Sequence, residues 1–98
     1  MFLKRIFTQK ELDYCFSKKN YAQSLTARFC AKEAVVKALN NLYNGVVSYN
    51  KIEILNYPNG APYINVLLNE LKKFDYSLSL SHEKDKAVAF VIVNKKGE

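Results

Sequence analysis

The sequence predicts an α+β fold in which one long central helix packs on a small antiparallel sheet, and three observations carry that reading. Ala27-Arg28-Phe29-Cys30-Ala31-Lys32-Glu33-Ala34-Val35-Val36-Lys37-Ala38-Leu39 is rich in strong helix formers and holds neither Gly nor Pro. Asn59-Gly60 stands between two apolar runs, which is a hairpin signature. Tyr76 to His82 alternates strictly between apolar and polar side chains, and the apolar run Ala87 to Val93 follows a short charged stretch. Helices come first and strands after them, without the regular alternation of a parallel α/β sheet.

Each element has its own signal. Residues 1–7 alternate apolar and basic side chains. Thr8 followed three residues later by Glu11 is a capping box, so a short helix is predicted from Gln9 to about Phe16. Ser17-Lys18-Lys19-Asn20 is a polar break; the long helix follows from about Tyr21 to Leu42 and is stopped by Asn44-Gly45. Val46 to Leu55 contains a strand, with Ile52 and Ile54 on one face and Lys51, Glu53 and Leu55 on the other. Asn56 to Pro62 is the densest turn signal in the chain, and Pro62 fits the start or edge of the return strand Tyr63 to Val66. Leu67 to Phe74 reads as a short amphipathic helix. In the strand Tyr76 to His82, Leu78 and Leu80 face one way and Ser77, Ser79 and Ser81 the other. Glu83-Lys84-Asp85-Lys86 is a charged loop. The unbroken apolar run Ala87 to Val93 predicts a strand covered on both faces, and Asn94 to Glu98 a frayed tail. The order is ααβββαββ or ααββαββ, with residues 1–98 forming one domain without repeat or linker.

The long helix sorts its residues unusually on a wheel. Ala27, Ala31, Ala34, Val35, Ala38 and Leu42 form an arc of mostly small apolar side chains, and Leu25, Phe29, Val36 and Leu39 form a bulkier arc roughly opposite. A helix apolar on two sides is buried on two sides. One window between the arcs holds Glu33 and Lys37, four positions apart; the other holds Arg28 and Lys32. Glu33 and Lys37 suit either an ordinary i,i+4 ion pair or a metal-binding carboxylate beside a lysine for a phosphate or a proton. Spacing leaves both open.

At 98 residues, 49% of them hydrophobic, the chain has the composition of a folded cytoplasmic domain. Its net charge of +6 favours anionic partners: nucleic acid, a phosphorylated small molecule or an acidic protein. Cys15 and Cys30 lack CxxC spacing or a paired histidine and read as buried thiols. No apolar run is long enough to span a membrane, and the charged start is unlike a signal peptide. The three glycines form no phosphate loop, and the basic residues are dispersed with no nucleic-acid-binding signature, so neither a nucleic-acid nor a membrane partner is expected. The single histidine, His82, closes a strand just before a charged loop, where a side chain projects from a rigid scaffold.

Taken together, several segments resemble the holo-[acyl-carrier-protein] synthases, the small bacterial 4'-phosphopantetheinyl transferases. Ala27 to Leu39 resembles their "ARFAAKEAxxKAL" helix, and Ile52-Glu53-Ile54-Leu55 with Asn59-Gly60-Ala61-Pro62 their "IEI…xxGxP" hairpin. Ser79-Leu80-Ser81-His82-Glu83 with Ala87-Val88-Ala89 is similar to their "SLSHE…AxA" ending. Phe2-Leu3-Lys4-Arg5-Ile6-Phe7-Thr8 with Glu11-Leu12 matches their "FxxRIxTxxEL" entry. The resemblance runs from Phe2 to about Val93. It implies the phosphopantetheinyl transferase fold, a homotrimer with sites between subunits, and magnesium-dependent transfer of phosphopantetheine from coenzyme A to a serine of apo acyl carrier protein for fatty acid biosynthesis. It implies Glu33 as the Mg²⁺ ligand, and Lys37 and Lys32 near the phosphates, with Glu33 and Lys37 the catalytic pair. Arg28 and His82 would contact phosphates of coenzyme A, while Asn59, Gly60 and Pro62 would border the adenine.

One departure stands against this. The family's opening "GxDIxxxxR" strand and helix, with a second magnesium carboxylate and carrier-docking arginines, has no counterpart in the sequence; Glu11 and Asp13 match the helix that follows it. The domain is therefore expected to lack its first strand, leaving an edge bare beside Ala87 to Val93. A shortened, non-catalytic remnant that binds coenzyme A or the carrier without transfer is the alternative. A small basic nucleic-acid-binding module is a third reading, resting on charge alone.

Overall fold

In the computed structural model, residues 2–84 and 86–97 are described; the expectations placed on Met1, Asp85 and Glu98 lie outside them. Three helices open the chain: α1 (Phe2–Ile6), α2 (Gln9–Phe16) and α3 (Tyr21–Leu39). Four strands follow, β1 (Ile52–Asn56), β2 (Pro62–Val66), β3 (Phe74–Glu83) and β4 (Lys86–Lys95), with short 3-10 turns at Tyr49–Lys51 and Asn69–Lys73. The strands form two two-stranded antiparallel sheets, β1–β2 and β3–β4.

Local chemistry sets several boundaries. The Thr8 capping box is present at the start of α2: the Glu11 amide donates to the Thr8 hydroxyl and the Thr8 amide to the Glu11 carboxylate. The Asn20 side chain caps α3 by accepting from the Gln23 amide. At its far end α3 stops at Leu39, before the predicted Leu42, because Leu42 and Tyr43 turn their amides back onto the Leu39 carbonyl. The Asn-Gly hairpin closes with Asn56 opposite Pro62, and Gly60 takes a φ of +93°, a left-handed conformation that glycine adopts without Cβ strain. Pro62 begins β2, where a missing amide donor costs least. Two expectations are corrected: residues 2–6 are helical, with Lys4 and Arg5 in the last turn, and the segment before Phe74 is a 3-10 turn rather than an α-helix.

Ala31, Val35 and Leu39 of α3 bury against Ile52, Ile54, Val66, Leu71 and Phe74 to form the main core. A second cluster joins Ile6, Phe7 and Leu12, with Leu25 and Phe29 from the other side of α3 packed on it. The helix is thus buried on two sides, although Leu39 belongs to the main core rather than to the opposite arc. On β3, Tyr76, Leu78 and Leu80 face the core while Ser77, Ser79 and Ser81 are exposed. Strand β4 departs from prediction. Its register sets Val88, Phe90 and Ile92 opposite those serines, and 68%, 66% and 46% of their surfaces lie open. Only one face of β4 is covered within the chain, and its apolar outward residues hide the alternation that would have revealed this.

Candidate functional site

The two windows on α3 have opposite fates. The window holding Arg28 and Lys32 lies between the two apolar clusters and is roofed by α2 and β1. Lys32 is fully buried, its Nζ 2.7 Å from the equally buried Glu11 carboxylate. That ammonium also donates to the carbonyls of Tyr49, at 2.9 Å, and Ile52. Glu11 accepts from the Ile54 amide at 2.8 Å and from Thr8 at 2.9 Å, so its oxygens are fully employed. Burial pushes the Glu11 carboxyl above its ordinary range and the Lys32 ammonium below its own, each opposed by the other's charge. Beside them Glu53 accepts from the Thr8 hydroxyl at 2.6 Å and from Asn65 at 2.9 Å. The expectation that Lys32 lies near phosphates is therefore corrected: all its donors serve a network inside the fold, and its sequence gave no sign that Glu11 would reach it.

Arg28 is also buried, at 5% exposure, but it leads outward. Its guanidinium carbon sits 4.2 Å from the centre of the Tyr14 ring, and Nη2 donates to the Asn56 side-chain oxygen. The Asn56 amide in turn donates to the Gly60 carbonyl at 2.9 Å. The structure thus brings Arg28 to the Asn59-Gly60-Pro62 turn, where Asn59 accepts from the Ala61 amide at 2.9 Å. Arg28 Nε is buried without a hydrogen-bond partner. Tyr14 and Asn56 were missed from sequence; neither sits in a motif, and only the fold carries them to Arg28.

The other window opens outward. Glu33 is half-buried and Lys37 exposed, and among the described residues neither takes part in an ion pair or side-chain hydrogen bond, so the simple i,i+4 pair is not formed. One turn before Glu33, the Cys30 thiol lies 3.6 Å from the Ala87 carbonyl, and Ala87 faces His82 across the β3–β4 ladder. His82 is exposed at the hairpin tip, lining a shallow cavity of about 210 Å³ with Ser81, Glu83, Lys86, Ala87 and Val88. Its strand parity is that of Leu78 and Leu80, so it ends the face that packs on α3.

A half-buried carboxylate with no internal partner fits a hard cation such as magnesium, which takes one or two carboxylates and completes its shell with water and substrate phosphates. Among the described residues no group of three or more His, Cys, Asp or Glu side chains gathers as a metal cluster. No helix among them is long and apolar enough to cross a membrane.

Comparison with known proteins identifies the family. Residues 1–91 match the family model described as the 4'-phosphopantetheinyl transferase superfamily. The holo-[acyl-carrier-protein] synthase of Chloroherpeton thalassium is 41% identical over 95 residues, spanning 95% of this chain and 78% of its own. That of Protochlamydia amoebophila is 44% identical over 94 residues, spanning 93% of this chain and 77% of its own. The crystal structure of Helicobacter pylori holo-[acyl-carrier-protein] synthase in complex with coenzyme A superposes with a TM-score of 0.79 at 30% identity, covering 95% of this chain and 81% of that one. With nearly its whole length matched in sequence and in fold, this chain belongs to the 4'-phosphopantetheinyl transferase superfamily.

Proposed function

We propose that the chain is a holo-[acyl-carrier-protein] synthase, transferring 4'-phosphopantetheine from coenzyme A to a serine of apo acyl carrier protein. Glu33 carries the reading: its carboxylate projects from α3 half-sheltered, and among the described residues neither it nor Lys37 beside it has an internal partner. Relatives of about 40% identity bear this name, and a related enzyme binds coenzyme A.

Magnesium, when bound, supplies positive charge that neutralises a pyrophosphate and eases departure of its leaving phosphate. Glu33 would hold it. Lys37, one turn further along α3, offers its ammonium to the same phosphates as a flexible point charge. Arg28 receives a phosphate of coenzyme A, Asn59, Gly60 and Pro62 border the adenine, and His82 approaches from the β3–β4 tip. In the transfer the serine oxygen bonds to the phosphorus bearing pantetheine and the pyrophosphate P–O bond breaks. Adenosine 3',5'-bisphosphate leaves, and the serine proton passes to water. The net charge of +6 suits an acidic carrier protein, and the open Val88, Phe90 and Ile92 supports assembly as a homotrimer. The setting is fatty acid biosynthesis in the cytoplasm.

A second reading is a domain that binds coenzyme A or the carrier without transfer; it is favoured by the absence, among the described residues, of any group of three or more candidate metal ligands. Following the mass of apo acyl carrier protein, incubated with coenzyme A with and without Mg²⁺, separates the two. A magnesium-dependent gain of the phosphopantetheine mass is expected. No gain from a folded chain that still binds coenzyme A would establish the second reading instead.

A further inference from the structure

Two cations are buried in the inner window of α3, and the fold treats them differently. Lys32 receives a carboxylate. Among the described residues Arg28 forms no ion pair, and its Nε is buried without an acceptor. Leaving a buried charge unpaired is costly, so its retention points to a ligand that supplies the missing negative charge. What holds the guanidinium is neutral: the Tyr14 ring on one face and the Asn56 side-chain oxygen at Nη2. The other end of the same Asn56 amide grips the Gly60 carbonyl at 2.9 Å.

We propose that Asn56 is a positioning residue for coenzyme A: it locks the direction of Arg28 to the Asn59-Gly60 turn while leaving the arginine's charge unneutralised for a phosphate. This rests on the reading of Arg28 and the turn as coenzyme A contacts. The choice of amide over carboxylate is the point. Aspartate at this position would hold Arg28 more tightly through a charge-assisted bond, yet it would cancel the positive charge that a phosphate must find. It would also lose the donor that reaches Gly60. The asparagine amide accepts from the arginine at one end and donates to the turn at the other without adding charge.

The test compares the unaltered chain with Asn56→Asp, Asn56→Ser, Arg28→Met and the Asn56→Asp/Arg28→Met pair, reading thermal unfolding, calorimetric binding of coenzyme A and transfer kinetics. Asn56→Asp is expected to unfold at or above the temperature of the unaltered chain, yet to bind coenzyme A about tenfold or more weakly. The loss falls on KM rather than on kcat. Most of the Asn56→Asp loss disappears when Arg28 is already Met, since the new carboxylate acts mainly through that guanidinium, and the remainder measures the lost bond to Gly60. Asn56→Ser weakens binding in the same direction and decides the matter should Asn56→Asp not fold. Undiminished binding in the folded Asn56 variant, or a further loss in the double variant as large as Asn56→Asp causes alone, overturns the inference. An unaltered chain that binds no coenzyme A overturns the reading of the site, and this inference with it.

Discussion

Lys32 and Glu33 are neighbours in sequence and opposites in the structure. Lys32 is fully buried and its charge is answered by Glu11 and two backbone carbonyls. Glu33 lies one step round the helix, half-buried and unanswered. A rotation of about 100° per residue is all that separates a charge serving the fold from a charge available to a ligand. The helix is identical around both, so the difference lies in what covers each window: α2 and β1 roof the first, and no described element bonds in the second. Charged residues on one helix therefore cannot be assigned a role from their type or their adjacency.

Substitutions can break this contrast or sharpen it. The largest effect is expected at Glu33. Glu33→Ala should lower transfer by about a thousandfold or more while leaving thermal unfolding nearly unchanged, because no internal bond is lost. Near-normal turnover of apo acyl carrier protein in that variant would dissolve the distinction drawn here. Lys32→Met should do the reverse. It strands the Glu11 carboxylate in the interior and should cost about 3–5 kcal/mol in chemical denaturation, a loss that an accompanying Glu11→Gln should partly recover, since it removes the stranded charge and keeps an acceptor for the Thr8 and Ile54 amides. A single variant of undiminished stability would show that the inner pair contributes little. Smallest is His82→Ala: the side chain is exposed and lies outside both windows, so KM for coenzyme A should rise by roughly tenfold, the worth of one charged hydrogen bond. An unchanged KM would remove His82 from the site.

Much of this was legible beforehand, for identifiable reasons. The Thr8–Glu11 cap, the Asn-Gly turn and the Ser/Leu alternation of β3 are local patterns, and each appears where its spacing places it. Glu33 and Lys37 stood out because a polar window between apolar arcs is visible on a helical wheel. Arg28 and Lys32 occupied the equivalent window, and nothing in their spacing showed that it was closed. Its cover comes from Glu11, Tyr14, Ile52 and Asn56, residues distant along the chain. Glu53 shows the same limit: alternation placed it on the face opposite Ile52 and Ile54, as β1 has it, but gave no sign that Thr8 and Asn65 would satisfy it in the interior. Strand β4 failed differently, since Val88, Phe90 and Ile92 are apolar whether or not anything covers them.

The Glu11 carboxylate has a consequence for how the molecule opens. It closes the cap of α2, accepts the Ile54 amide of β1 and pairs with Lys32 of α3. No one of these three elements can detach without stranding a charge or an amide that the other two have buried. Their fluctuations are therefore coupled, and amide protons at Thr8 and Ile54, far apart in the chain, should exchange with solvent through the same cooperative event. The slot carrying Glu33 lies outside this knot, on another flank of the same helix.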